Sequence, residues 1–432
     1  AAPAAERGDT QPKVTGMTTL DCRGKSLAET GGGLIARYNA SNAGDSFDVL
    51  VSEYGTGLSM WLLEAGARHH AVREGDGSWR LTVSRRHAPA QGSIPGVHHV
   101  VGGSDGSVWT CERAHRVARI DSRARQIAAV RSVARKASHL ALDEQAGRLF
   151  VADAEAGEII ALRADDLTEV TRWRAPGIPH LPLVSADGIV CVTGGANGTV
   201  TIAWPKDKSY RSRTFEIGAS PHDPGLDRAG EYLFVPCAGS GTVVKVRIAD
   251  GAIVGRMPVG EGPSHLAFHP DGRRLYSANS WDGSVTCVTV DGERVAHAYS
   301  GGWAHAIEVA PDGRWVYVAN FMDDTVAVFD ALTLERVSVL ETDCYPHGLD
   351  VSPDGKYFIA TGFGSDHARI FEAATHREIA RTEVGYGSSH TVFAPDGTAW
   401  IGCSVSDHVA CVDLASRACI ARVRLADDSV TH

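Results

Sequence analysis

The stretch Pro311-Asp312-Gly313-Arg314-Trp315-Val316-Tyr317-Val318-Ala319-Asn320, continued after Asp323-Asp324 by Thr325-Val326-Ala327-Val328-Phe329, decides the fold. Pro-Asp-Gly makes a tight turn, because proline presets its own φ and glycine accepts a positive one. The alternating residues on either side of the polar Asp-Asp turn predict two antiparallel strands. The unit recurs at Pro270-Asp271-Gly272, Pro353-Asp354-Gly355 and Pro395-Asp396-Gly397, so that consecutive copies lie 41, 42 and 42 residues apart. Weaker copies run backwards through Gly230, Gly188, Gly147 and Gly106, which makes eight units. Repeats of this length, four strands each, predict a mainly β fold: an eight-bladed β-propeller over residues 95–432. The final stretch Ile420 to Leu425 is expected to close the ring by joining the strands near residue 95.

Seven or eight residues before every turn glycine stands a histidine: His98 or His99, His139, His180, His222, His265, His305, His347 and His390. Nineteen histidines in 432 residues would put fewer than one on eight chosen positions. In a propeller this position begins the innermost strand, so the imidazoles are expected to ring one mouth of the channel. The neighbouring residues diverge, from Pro, Ser or Ala before the histidine to Leu, Asp, Ala, Gly or Thr after it, which argues for a requirement on the ring itself. The bland alternative is a structural residue copied by duplication.

Imidazoles with few carboxylates suit copper, zinc, nickel or iron rather than calcium or magnesium. Eight exceed the needs of one tetrahedral ion, so a multinuclear copper centre is the favoured expectation, with another transition metal as the alternative. Loops on the same face add Asp153, Trp281, Asp282, Asp323, Asp324, Asp366, His367, Asp407 and His408. Asp366-His367 and Asp407-His408 are the expected proton-handling pairs. Trp281, Trp303, Tyr345 and Tyr386 are the expected aromatic walls for a cofactor or substrate.

Tyr317-Val318-Ala319-Asn320 followed by Thr325 to Asp330 resembles the YVTN family of propeller repeats. The histidine placement is similar to the channels of nitrous oxide reductase and copper-dependent thiocyanate dehydrogenase propellers. Together with the sulfur-carrier resemblance of the N-terminal segment described below, that resemblance implies a copper oxidoreductase acting on a small inorganic or sulfur-containing molecule. The eight-blade count resembles the cytochrome d1 haem-binding propeller, which implies a non-covalent haem on one axial histidine; Arg135, Lys136 and Arg174 are the basic residues nearest the ring in sequence. A non-catalytic propeller that binds metal or recruits a partner is the third reading.

Residues 17–85 differ in texture. Thr18 to Cys22 and Ser46 to Ser52 read as strands, Leu27 to Ala40 and Gly57 to His69 as helices, and two strands flank Gly75-Asp76-Gly77. The order β-α-β-α-β-β predicts a small two-layer α/β sandwich. Leu20-Asp21-Cys22-Arg23-Gly24, Gly44-Asp45 and Gly66 resemble the TusA-like sulfur-carrier family. That family's Cys-Pro-x-Pro element is replaced here by Leu27-Ala28-Glu29-Thr30, which puts ordinary persulfide transfer in doubt and leaves Cys22 as the nearby thiol. Residues 1–16 read as a flexible segment and 86–94 as a linker.

A net charge of −10 without a long basic run argues against nucleic acid, and no stretch reaches the apolar length of a membrane helix. A small-molecule substrate fits better, with an electron-transfer or sulfur-carrier protein as partner. Nine scattered cysteines are no disulfide framework. The Ala-rich start reads as an exported, periplasmic chain; the sulfur-carrier resemblance implies the cytoplasm instead.

Overall fold

The structure, a computed structural model, describes residues 19–23, 46–51, 67–85 apart from 75 and 77, and 96–425 apart from 113 and 208. Two compact units divide at residues 93 and 94. No helix among the described residues is long and apolar enough to cross a membrane.

In the first unit β1 (Thr19–Asp21), β2 (Ser46–Val51), β3 (Ala67–Arg73) and β4 (Trp79–Arg85) form one sheet in the order β1-β2-β4-β3. β1 and β2 run parallel, with Thr19, Leu20 and Asp21 opposite Asp48, Val49 and Leu50. Phe47, Val49, Val51, Leu81 and Val83 are buried, giving the sheet one apolar layer. Leu27 to Ala40 and residues 57–66 lie outside the described residues, as do residues 1–16 and 86–94. At the end of the second expected helix the reading fails: Ala67, Arg68 and His69 begin β3 and pair with Arg85, Ser84 and Val83. Cys22 is 1% exposed, and its N–H donates to Leu50 O.

Among the described residues the second unit consists of eight four-stranded sheets, each built from four consecutive strands. Their first strands are Val97–Gly102, Ala137–Asp143, Pro179–Val184, Gly225–Leu226, Pro263–Phe268, Ala304–Val309, Pro346–Val351 and Ser388–Phe393. First strands of neighbouring sheets pack together, and the eighth sheet returns onto the first. The third and fourth sheets meet through Cys191, Val200, Ile202, Leu233, Val235 and Val244. This is a propeller-type ring of sheets with first strands innermost.

The turns between first and second strands behave as Pro-Asp-Gly predicts. Gly272, Gly313, Gly355 and Gly397 all have φ near +70 to +83°, as do the weaker copies within a slightly wider range. Each turn aspartate accepts the N–H two residues on: Asp271 from Arg273 at 2.7 Å, Asp312 from Arg314 at 2.9 Å. Between sheets, polar stitches recur: Trp109 Nε1 donates to Ala164 O, and Tyr276 Oη to Ala331 O.

Ring closure differs from expectation. The last strand, Ala418–Val423, pairs with His408–Asp413 in its own sheet and does not join the strands near residue 95. The first and eighth sheets meet instead through a packed seam of Val97, Val100, Trp400, Val409 and Leu425. Arg116 donates to Leu425 O, and Ser389 Oγ to His98 O at 2.9 Å across that seam. Four local strands already saturate each ladder, so closure needs only apolar packing and a few such bonds.

Candidate metal-binding mouth

Every ring histidine sits at an irregularity of the innermost strand. In the sixth sheet Ala304 pairs with Asn320 and Ile307 with Val318, so His305 and Ala306 together oppose one residue. The other seven first strands also carry one residue more than their partners between matched pairs. A bulge re-aims side chains that regular alternation would send to opposite faces. Two bulge positions result. The first holds His98, His180, His222, His305 and His347, with Ser138, Ser264 and Ser389 in the remaining sheets. The second holds His99, His139, His265 and His390, and also Asp223.

The imidazoles converge. Centroid distances round the ring are 5.1 Å for His98–His139, 4.0 Å for His139–His180, 4.8 Å for His180–His222 and 5.2 Å for His222–His265. They continue at 4.3 Å for His265–His305, 4.7 Å for His305–His347, 5.1 Å for His347–His390 and 4.9 Å for His390–His98. His99 lies 4.8 Å from His139 and 4.7 Å from His390, so both histidines of the first sheet face inward.

Burial disfavours the charged form at five of these imidazoles. Desolvation lowers His99 to about 4 and His222 to about 3, and pushes His139, His305 and His390 well below the usual imidazole value, each aided by neighbouring imidazoles. Burial alone would raise Asp223, but the imidazoles of His180, His222 and His265 and the hydrogen bond to His180 outweigh it and hold the carboxylate well below its ordinary range. Asp223 Oδ1 lies 2.6 Å from His180 Nδ1, and Oδ2 lies 3.0 Å from His265 Nε2.

The donor set fits transition-metal ligation. His139 Nδ1, His305 Nδ1 and His390 Nε2 are buried without a hydrogen-bond partner among the described residues. Native proteins rarely leave such atoms unsatisfied without a reason. Two groups gather their ligand atoms within 4.8 Å: His98, His139 and His390, and His180, His222 and Asp223. Neutral imidazole nitrogen suits copper, zinc, nickel or iron.

The loops round the mouth divide into walls and struts. Trp303 and Tyr345 are buried at φ +59°, and Phe321 stacks between His305 at 5.7 Å and Tyr345 at 5.2 Å. Phe363 meets His347 edge-on at 4.4 Å. Trp281 covers Gly262, with its Nε1 buried and unpartnered. Tyr386 is partly buried, and its N–H donates to Ser406 Oγ.

The outer carboxylates expected as a ligand shell mostly hold backbone: Asp153 accepts from Arg135 N and Lys136 N, Asp282 from Glu261 N, Asp323 from Gly302 N and Asp324 from Tyr345 N. Asp366 pairs with His367 at 2.5 Å on the exposed rim. His408, expected to handle protons, has Nε2 donating to Val384 O at 2.7 Å and Nδ1 3.2 Å from Ser406 O, so its ring also braces the loops at these residues. Beside it, Asp407 has a buried, unpartnered Oδ1, and its carboxyl is raised by burial and by Glu112.

The sequence reading did not single out Phe321, Phe363, Asp223, Glu308 or Asp350. Glu308 and Asp350 lie three residues beyond His305 and His347 on neighbouring innermost strands. Burial pushes Asp350 up to about 7, and burial together with Asp350 raises Glu308 well above its ordinary value. Their signal was an acid where the residue three beyond the other ring histidines is Leu142, Leu183, Gly225, Phe268 or Phe393.

Comparison with known proteins supports the propeller. A family model described as "Lactonase, 7-bladed beta-propeller" matches residues 212–377. The 6-phosphogluconolactonase of Sodalis glossinidius is 24% identical over 197 residues, covering 40% of this chain and 60% of that one. That of Pectobacterium carotovorum subsp. carotovorum is 26% identical over 235 residues, covering 50% and 61%. The chain thus spans less than two thirds of these relatives. Among solved structures, the dihydro-heme d1 dehydrogenase NirN in complex with DHE matches with a TM-score of 0.57 at 17% identity, over 74% of this chain and 71% of that one. The Dos1 propeller matches with a TM-score of 0.62 at 12% identity, over 73% and 91%. At such identities the likeness is one of fold.

Proposed function

We propose that the chain is an eight-bladed, metal-dependent propeller enzyme whose histidine ring holds transition-metal ions, copper being the favoured one, and acts on a small inorganic or sulfur-containing molecule. The observation that carries this reading is the set of inward-facing imidazoles at all eight bulges, with nitrogens of His139, His305 and His390 left without a hydrogen-bond partner among the described residues. Copper would supply Lewis acidity and one-electron chemistry. The chain's own residues do the rest. Neutral His139, His222, His305 and His390 offer nitrogen lone pairs. Phe321, Phe363, Trp303 and Tyr345 keep bulk water from the buried arc. Asp366-His367 at the rim and the raised carboxyl of Asp407 exchange protons with substrate. The N-terminal unit, read as a TusA-like module, serves as a docking surface for a sulfur-carrier or electron-transfer protein, because Cys22 is too buried to carry sulfur itself.

Two other readings have support. The names of the curated relatives favour lactone hydrolysis, in which the same metal site would activate water. The NirN likeness favours a haem-type macrocycle seated on one ring histidine, which leaves most of the ring unexplained. Elemental analysis and an absorption spectrum of the protein from its native host, with a sugar-lactone hydrolysis assay, separate them. Several equivalents of copper and no lactonase activity support the first reading; metal with lactone turnover supports the second, and a haem band the third. Protein free of both metal and haem overturns a metal-dependent function.

A further inference from the structure

We infer that the ring is two inequivalent metal centres on neighbouring arcs, which meet where His139 and His180 lie 4.0 Å apart, and that they sort ions by charge: an imidazole-only centre at His98, His139 and His390 for a monovalent ion, and a carboxylate-containing centre at His180, His222 and Asp223 for a divalent one. This rests on the metal-binding reading above. It goes further by assigning ligands and ion charge to each arc.

The two arcs differ in every respect that governs ion choice. His98 and His139 are 4% and 3% exposed, and the group also holds the unpartnered His139 Nδ1 and His390 Nε2. No carboxylate belongs to that set. A dication there would bury two charges with no carboxylate among its ligands, whereas a monovalent ion on soft-tolerant neutral nitrogen buries one. His99 closes the same arc and accepts the N–H of Leu140 on Nδ1 at 3.3 Å, which fixes its ring beside the other three.

On the neighbouring arc the side chains of His180 and His222 are 33% and 18% exposed, so ions and water reach them. Asp223 brings a carboxylate, with Oδ1 2.6 Å from His180 Nδ1 and 3.6 Å from His222 Nδ1. His265 Nε2, at 3.0 Å, orients its second oxygen. A divalent ion on this set leaves one net positive charge, the same as a monovalent ion on the other. His305 and His347 belong to neither centre; they face Phe321 and Phe363.

The full chain, stripped of metal, is titrated with zinc(II) and, separately and without oxygen, with copper(I), by calorimetry and by elemental analysis after desalting. One tight equivalent of each is expected, and both together when both are offered. Asp223→Asn is expected to weaken zinc(II) by about tenfold or more and leave copper(I) unchanged. His139→Gln with His390→Gln is expected to do the reverse. Competition of the two ions for a single equivalent, or equal losses of both ions in both variants, overturns the division. If the glutamine variant fails to fold by circular dichroism, the competition experiment on the unaltered chain decides alone. Binding of neither ion overturns the underlying metal reading, which a single shared site would leave standing.

Discussion

His139 and His408 stand at the same mouth, are both buried, and both come from the repeating pattern, yet their ring nitrogens meet opposite fates. Those of His408 sit on the carbonyls of Val384 and Ser406. His139 Nδ1 has no hydrogen-bond partner among the described residues. A loop histidine that braces backbone strengthens the fold at its own position. A bulge histidine that leaves donors and acceptors bare weakens it, which makes sense where something else is to be bound. The number of satisfied nitrogens separates the two roles better than position does.

The largest expected effect comes from removing one ligand of each arc. His139→Gln with His222→Gln should abolish tight metal uptake, measured by elemental analysis, while far-ultraviolet circular dichroism keeps its strand signal. Retained metal would erase the distinction between bulge and loop. Next, Phe321→Ala should cost about 3–5 kcal/mol in chemical denaturation, since a fully buried aromatic wall is lost. A loss below about 1 kcal/mol would show that the wall is not packed as described.

Acid comes third. The folded-state values of His99, His139, His222, His305 and His390 lie below the ordinary 6.5, so the unfolded chain binds more protons once pH falls past that point. The stability they contribute is present above pH 6.5 and lost as pH drops toward 4. Asp350 runs the other way: raised from 3.8 to about 7, its contribution is present at low pH and lost as pH rises through that window. The melting temperature should therefore fall from pH 7 to pH 5, and more steeply in Asp350→Asn. A melting temperature flat over that range would contradict a neutral, buried ring. His408→Ala, fourth, should cost about 1–3 kcal/mol with metal content unchanged. Asp366→Asn, smallest, should shift stability by less than about 1 kcal/mol, because the pair is exposed.

Much of this was legible in the chain. Pro-Asp-Gly at near-constant spacing gave the repeat and its turns, because φ near +70° at Gly272 or Gly313 is a local demand that glycine meets at least cost. The wobble between seven and eight residues from histidine to glycine largely reflects the two bulge positions, as at His265 against His305. Asp223 was passed over because strand alternation sends adjacent residues to opposite faces, and only the bulge brings His222 and Asp223 to one side. Phe321 and Phe363 follow the second strand by one residue, a place where periodicity says nothing. Ring closure was misread because the strand needed by the last ladder lies in its own repeat, and sequence alone does not show which edge a terminal strand prefers.

The seam between first and eighth sheets gains a meaning from what crosses it. His98 and His390 belong to the first and eighth sheets, neighbours in the ring that lie at opposite ends of the repeat series. An ion gripped by both would act as a buckle, so loading that arc would resist unzipping of the circle as well as equip it for chemistry.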